Sequence, residues 1–422
     1  MSERLVVTNV LSGLTVDDVI HKMLFESMAA GLLWGILFYV VALVIALWCY
    51  RQYSPLYEGT SLVIMVSWFG HYLGTYFYSF ARTDSLMQFF LNATNHFRGS
   101  GTNFVCNLAW YVRDYMTGNS YVGTLYFFSS FAFLGSVLWY LMFLQLAQSL
   151  RISNQKYAYP AIVLMCWPSY LFFTAGIGKD SLCFFLIPLI LLSLNKLIAQ
   201  KNKTGSVIFI LLFSLSLMAM IRPYLIIVFS AAYFLSSYNG IKRMSGLRLV
   251  FMIASLPIVI YLIHLVLLTQ KASMHLADMS EIASTAVHQQ EALNVGSSFP
   301  MLSSNPAIVF LLLPYSFLMN LTMPLFIFAH NKEALIASIE NSYLVYLLYQ
   351  FLMRNKIYKV IKQNDGVRLC FMFFMVGMAL LSLINTNLGL STRQKTMYVP
   401  AFLVVAMLVW LYKKQNREPR KP

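Results

Sequence analysis

An all-α, polytopic integral membrane protein is predicted by three features of the 422-residue chain. Hydrophobic residues make up 59% of it and aromatic residues 16%, while Asp, Glu, Lys and Arg together reach only 11%. A soluble domain carries about 25% charged residues. So few charges do not coat a water-exposed surface of this size, which excludes a soluble enzyme, a disordered chain and a nucleic-acid-binding domain. Apolar runs of membrane length also recur along the whole chain. Finally, 30 basic residues against 15 acidic leave a formal charge of +15. The basic residues cluster between the apolar runs, as in cytoplasmic loops beside anionic lipid.

The elements follow in order. Met1 to Glu26 carries acids and lacks a basic stretch leading into a short apolar core, so it does not read as a cleavable signal peptide. A membrane helix needs about 20 mostly apolar residues. Spans are predicted at 28–49, 60–79, 121–147, 158–175, 181–199, 206–221, 223–238, 247–269, 335–353, 368–385 and 396–412. That makes about eleven transmembrane helices in one membrane domain. The segment 306–329 is apolar but is interrupted by Pro306, Pro314 and Pro324, with Asn320 in its middle. It is expected to be a re-entrant or interfacial hairpin; an amphipathic surface helix is the alternative. No internal repeat or low-complexity segment is visible.

Orientation follows the positive-inside rule. The clearest basic clusters are Lys413, Lys414, Arg417, Arg420 and Lys421, and Arg354, Lys356, Lys359, Lys362 and Arg368. Smaller ones lie at Lys242, Arg243 and Arg248, at Lys196, Lys201 and Lys203, and at Arg151 with Lys156. All fall on one side if 306–329 enters and leaves by the same face. The C-terminus is then cytoplasmic and the N-terminus external. Of the acids only Glu58, Asp365 and Glu418 face inward, although acids have little influence on insertion. The two longest polar loops, 80–120 and 270–305, are external. Cytoplasmic loops are short, and no glycine-rich phosphate loop occurs, which disfavours ATP-driven transport and soluble nucleotide-sugar donors.

Five polar constellations interrupt this pattern. The first external loop opens Phe80-Ala81-Arg82-Thr83-Asp84-Ser85 and runs through His96–Phe104 to Arg113-Asp114-Tyr115. A carboxylate at the membrane boundary beside a basic residue is placed to deprotonate a sugar hydroxyl. Asp84 is the candidate base, with a capping Asp as the alternative; Asp114 beside Arg113 also reads as ion-paired. Gly176-Ile177-Gly178-Lys179-Asp180-Ser181 separates two apolar runs. Its glycines admit a ligand to the backbone, a helix start near Asp180 favours an anion, and Lys179 adds a point charge for phosphate. The alternative is a tight turn capped by Asp180.

Arg222-Pro223-Tyr224 places a charge between two more apolar runs, where charge is costly and usually functional. Snorkelling of Arg222 to the headgroups is the alternative. Asn385–Lys395 precedes the last span, and Arg393 and Lys395 there are external cations, which the positive-inside rule disfavours. An Arg fork and a Lys gripping a pyrophosphate would retain them. The hairpin and the polar stretch leading to Glu340-Asn341 could line a cavity for a lipid tail or sugar chain. Glu340 also reads as a buried partner for Lys179, Arg222 or Arg393. The five cysteines show no CxxC spacing and the seven histidines no metal spacing, so neither a metal nor a disulfide framework is expected.

An aspartate in the first external loop followed by a helix array resembles GT-C-type membrane glycosyltransferases. Gly178-Lys179-Asp180-Ser181-Leu182, Arg222-Pro223, the apolar Pro-containing stretch up to Ala337-Ser338-Ile339-Glu340-Asn341, and Asn387-Leu388-Gly389 with Arg393-Gln394-Lys395 and Pro400 are similar to polytopic proteins of bacterial polysaccharide loci. Among these the pattern resembles Wzy-type O-antigen and exopolysaccharide polymerases. Each motif is short, though together they span most of 80–412.

The resemblance implies a donor glycan on undecaprenyl pyrophosphate, a second lipid-linked repeat unit as acceptor, and transfer on the periplasmic face of the bacterial inner membrane. It implies Asp84, Arg222 and Arg393 as catalytic residues, and Lys179, Asp180, Lys395, Arg82 and Glu340 as substrate-binding ones. Cations would neutralise the departing pyrophosphate. GT-C enzymes often carry paired acids in that loop, whereas Arg82-Thr83-Asp84 offers one. No metal or cofactor is expected. Implied partners are the lipid-linked glycan, membrane lipid and other polysaccharide assembly proteins, with no nucleic acid. Competing readings are a lipid-linked oligosaccharide flippase or transporter, an O-antigen-ligase-like transferase and, third, an acyltransferase.

Overall fold

A computed structural model of the chain describes residues 16–53, 60–81, 89–93, 99–152, 158–198, 204–237, 312–326, 332–353, 357–384 and 388–415. The predicted span 247–269 and the loop 270–305 lie outside these residues. Among the described residues the architecture is all-helical, with no strand. The N-terminal half contributes α1 (Val16–Tyr53), α2 (Thr60–Ala81), α3 (Thr102–Tyr111, prolonged by a π-helical turn over Val112–Met116) and α4 (Tyr121–Ser149). Then come α5 (Ala158–Met165), α6 (Pro168–Phe173), α7 (Lys179–Ile198), α8 (Thr204–Ile221) and α9 (Tyr224–Ser237). The C-terminal part contributes α10 (Leu313–Thr322), α11 (Lys332–Leu352), α12 (Ile357–Gln363), α13 (Asp365–Ile384), α14 (Leu388–Lys395) and α15 (Val399–Gln415).

Among the described residues, 4 segments are long and apolar enough to cross a membrane: Met28–Arg51, Tyr121–Ser149, Lys179–Ile198 and Asp365–Ser382. A fifth is formed if Gly389–Lys395 and Val399–Gln415, bent by 56°, count as one broken span. The other predicted spans that are described form helices too, but shorter or more polar ones. The predicted span 158–175 divides into α5 and α6 because Pro168 holds Trp167 in an extended conformation (φ −63°, ψ 123°). Pro223, which lacks an N–H, likewise separates α8 from α9. Within 306–329, α10 has 10 residues, a length of about 15 Å, half of a hydrocarbon core.

The chain forms two compact units. The first comprises Met1–Leu141, Asn154–Leu189 and Met220–Arg222. Here α2 packs on α1, α5 and α6. Ser67, His71, Thr75 and Ser79 recur at every fourth position and therefore share one face of α2; all four are buried. This stripe keeps α2 less apolar than the four spanning segments. His71 Nε2 lies 2.8 Å from Ser136 Oγ, and Tyr39 donates to Ser129 at 3.0 Å. The Tyr39 ring stands edge-on to Tyr72 and Tyr126, which stack with centroids 4.8 Å apart.

Apolar side chains gain little by leaving lipid for another helix, so membrane helices associate through close packing and hydrogen bonds of this kind. Gly135 shows the closeness: a Cβ there would lie 2.5 Å from the Phe184 carbonyl oxygen. The outward face of α1 exposes Leu33, Val41, Val44 and Trp48, an apolar surface suited to lipid.

The second unit comprises Met142–Ser153, Ile190–Ala219 and Pro223–Pro422. Its centre is α13, against which α9, α10 and α15 pack. Phe229 and Phe373 stack at 4.9 Å, as do Phe374 and Phe402. Asn364 caps α13, its side-chain oxygen accepting from the Val367 N–H at 3.0 Å. Buried Arg368 donates to the Ser236 carbonyl and to Asp365, tying the ends of α9 and α13 together.

Candidate functional site

In the first unit, Lys179, Asp180 and Arg222 come together. Thr174–Gly178 forms the bend after α6, and Lys179 is the first residue of α7. Arg222 occupies the break between α8 and α9. Its guanidinium donates to the Asp180 carboxylate, forming an ion pair whose side chains are only 10% and 2% exposed. Asp180 also sits in the first turn of α7, where unpaired N–H groups favour a negative charge. It thus serves both the helix end and the arginine. The formal charges of Lys179, Asp180 and Arg222 sum to a single positive charge.

Lys179 is half-buried, and its ammonium lies against the turn that starts α3. A Cβ placed on Gly101 would lie 3.4 Å from Lys179 Nζ. Gly99 and Gly101 have φ of 101° and 75°, a region glycine enters without steric penalty. The Gly101 N–H donates to the Met220 carbonyl at 2.6 Å, fastening this turn to the end of α8. Gly101 caps α3 without a side-chain hydrogen bond. The Lys179 side chain therefore reaches from the first turn of α7 to the N-terminus of α3, which is partially positive. Cys106, one turn into α3, senses the same charge: burial pushes its thiol above the usual range, and Lys179 pulls it back.

The external-loop residues divide. Arg82 and Asp84 lie outside the described residues. Asp114 is ion-paired, its carboxylate accepting from Arg113 Nε at 2.6 Å. Arg113 also donates to the Phe90 carbonyl at 3.0 Å.

Lys395, Arg393 and Glu340 belong to the second unit. Lys395, 4% exposed, donates to the Met323 carbonyl at 3.1 Å and to Asn341 Oδ1 at 2.5 Å. Asn341 in turn donates to the Pro324 carbonyl at 3.0 Å. The buried Glu340 carboxylate acts electrostatically on the same ammonium. One turn earlier on α14, Ser391 donates to Asn320 Oδ1, and Asn320 donates to the Ser316 carbonyl at 3.0 Å. Lys395 and Ser391 thus fasten α14 to the polar edge of α10 and to the turn after it. Arg393 is half-buried and lies about 200° around the helix from Lys395. The expected Arg–Lys fork is therefore split between two faces of α14.

In sequence Asn320 reads only as an interruption, and neither the α2 stripe nor the bonds of Ser391 to Asn320 and of Lys395 to Asn341 are apparent. The four-residue spacing of Ser67, His71, Thr75 and Ser79, and of Ser391 and Lys395, is the signal that exposes both. Among the described residues no three His, Cys, Asp or Glu side chains converge as a metal site would require. Compared with known protein families, with curated proteins and with solved structures, the chain matches none.

Proposed function

We propose that the protein is a membrane glycosyltransferase that polymerises lipid-linked oligosaccharide repeat units, taking its donor glycan from undecaprenyl pyrophosphate on the periplasmic face of the bacterial inner membrane. In this reading the chain has about eleven spans and a cytoplasmic C-terminus, and its fold is of the Wzy or GT-C kind. The observation that carries it is Lys179, which starts α7 beside the Arg222–Asp180 pair and sets its ammonium against the N-terminal turn of α3. Helix N-termini with an adjacent lysine make an anion site. A pyrophosphate leaving group gains negative charge as the glycosidic bond breaks, so such a site favours the transition state over the intact donor. Lys179 contacts the departing diphosphate, and Arg222 with Asp180 holds the α7 start in place. Asp84 activates the acceptor hydroxyl.

Purified protein in liposomes, incubated with a lipid-linked repeat unit, tests the reading. A ladder of products supports polymerisation. A single new conjugate assigns a ligase instead, and unchanged glycan moved between leaflets assigns a flippase. Lys179→Gln should lose the ladder and Lys179→Arg retain part of it. Inorganic pyrophosphate should inhibit the parent protein. A normal ladder from Lys179→Gln would remove the anion site from the mechanism.

A further inference from the structure

The segment after the Gly101 turn carries a feature that the pyrophosphate reading does not use. Over Val112–Met116 the helix widens into a π-helical turn, closed by the Thr117 N–H donating to the Val112 carbonyl at 2.9 Å. Such turns recur at functional sites. Around it Tyr111 and Tyr115 lie nearly parallel, with centroids 6.0 Å apart and planes 25° apart. Trp110 stands edge-on to both, at 4.8 and 5.4 Å. Tyr115 is 73% exposed and Tyr111 50%. Asp114 is also exposed at this turn. Its carboxylate is held by Arg113, which is itself anchored on the Phe90 carbonyl, with its guanidinium 5.5 Å from the Phe90 ring centre.

This is the chemistry of a saccharide surface. A pyranose offers a face of C–H groups, which packs on an aromatic ring, and a rim of hydroxyls, which donate to a carboxylate. Rings already braced against one another lose little freedom on binding. A helix lying in the headgroup region would instead oppose its apolar face with a Lys- and Arg-rich one. Residues 99–120 hold a single basic residue, Arg113, and it is paired with the carboxylate beside the stack.

We infer that Trp110, Tyr111, Tyr115 and Asp114 form a platform that binds a sugar ring of the acceptor glycan. That the glycan is an acceptor rests on the polymerase reading; the binding itself does not. The probes are chitohexaose, cellohexaose and oligogalacturonate, titrated against the full-length protein in nanodiscs and followed by saturation-transfer NMR and tryptophan fluorescence. At least one should bind, with Kd raised about ten-fold by Tyr115→Ala and changed less than about two-fold by Tyr115→Phe. Trp110→Phe should abolish the fluorescence response. Absence of binding by all three, or affinity unaffected by Tyr115→Ala, overturns the platform. So does quenching of Trp110 by brominated lipid, which would place the rings in the bilayer.

The two readings fail separately. Oligosaccharide binding without a product ladder keeps the platform and sinks the polymerase. A ladder whose acceptor KM is unmoved by Tyr115→Ala does the reverse.

Discussion

Neutralising Arg222 alone should destabilise the protein far more than neutralising it together with Asp180. The pair is nearly dry, with side chains 10% and 2% exposed. Removing one member of a buried pair costs about 3–5 kcal/mol, because the remaining charge is left uncompensated. For Arg222→Met the cost is reduced, since the surviving Asp180 carboxylate lies in the first turn of α7, whose dipole favours it by about 0.3–1 kcal/mol. The expected loss is therefore about 2–4 kcal/mol, or about 30- to 700-fold in the unfolding equilibrium. Asp180→Leu gains no such relief and should cost the full 3–5 kcal/mol or about that. The double variant leaves no buried charge and should fall within about 1 kcal/mol of the parent, or above it. The assay is SDS-driven unfolding in bicelles, followed by tryptophan fluorescence. An Arg222→Met variant within about 0.5 kcal/mol of the parent, or a double variant as costly as the sum of the singles, would refute the buried-pair argument.

Three other perturbations follow from the packing. Gly135→Val forces a side chain towards the Phe184 carbonyl, where even a Cβ would sit at 2.5 Å; a loss of about 1–3 kcal/mol is expected in the same unfolding assay, and none would mean the helices can separate freely. Gly101→Ala combines a positive φ of 75° with crowding of Lys179. On the proposed function it should lower glycan transfer more than Gly99→Ala, where no atom lies within 4 Å of the added Cβ; equal effects would show that backbone strain alone matters. Lys395→Met strands the Met323 carbonyl and Asn341 Oδ1 and removes the ammonium that buried Glu340 acts on, costing about 1–3 kcal/mol. Adding Glu340→Gln should recover part of this in thermal stability measured by size exclusion, and no recovery would separate the two charges.

The all-helical architecture with apolar helices of spanning length was legible because so few charges among so many apolar residues suit lipid better than water. Helix limits were legible wherever the chain itself breaks the backbone ladder: Lys179 begins α7 one residue before the predicted start near Asp180, and Arg222-Pro223 separates α8 from α9. The continuity of 158–175 was misjudged because its mean apolarity hid Pro168, which acts on the conformation of its neighbour and not on hydrophobicity. Composition likewise says nothing of α2's inward polar stripe, in which the His71 imidazole finds Ser136 of α4 65 positions away and the Ser67 hydroxyl donates to the Met165 carbonyl at the end of α5.

The charges in the candidate sites follow the same division. An isolated cation between apolar runs announces that something compensates it, but its partner is chosen in three dimensions. Asp180 lies 42 positions from Arg222, and Asn341 lies 54 from Lys395. Burial then sorts four cations that look alike in sequence. Arg222 and Lys395 are nine-tenths buried or more and donate to protein oxygens; to hold a phosphate they must first give up those bonds in a dry setting. Lys179 and Arg393 are half-buried and keep part of their hydration, so contact with an anion costs them less desolvation. A diphosphate site built on this chain should therefore lean on Lys179, with Arg222 acting through the α7 start that it braces. Substitution of Lys179 should then raise the inhibition constant of pyrophosphate more than the charge-free Arg222–Asp180 double variant does; an equal rise in both would move the anion contact away from Lys179.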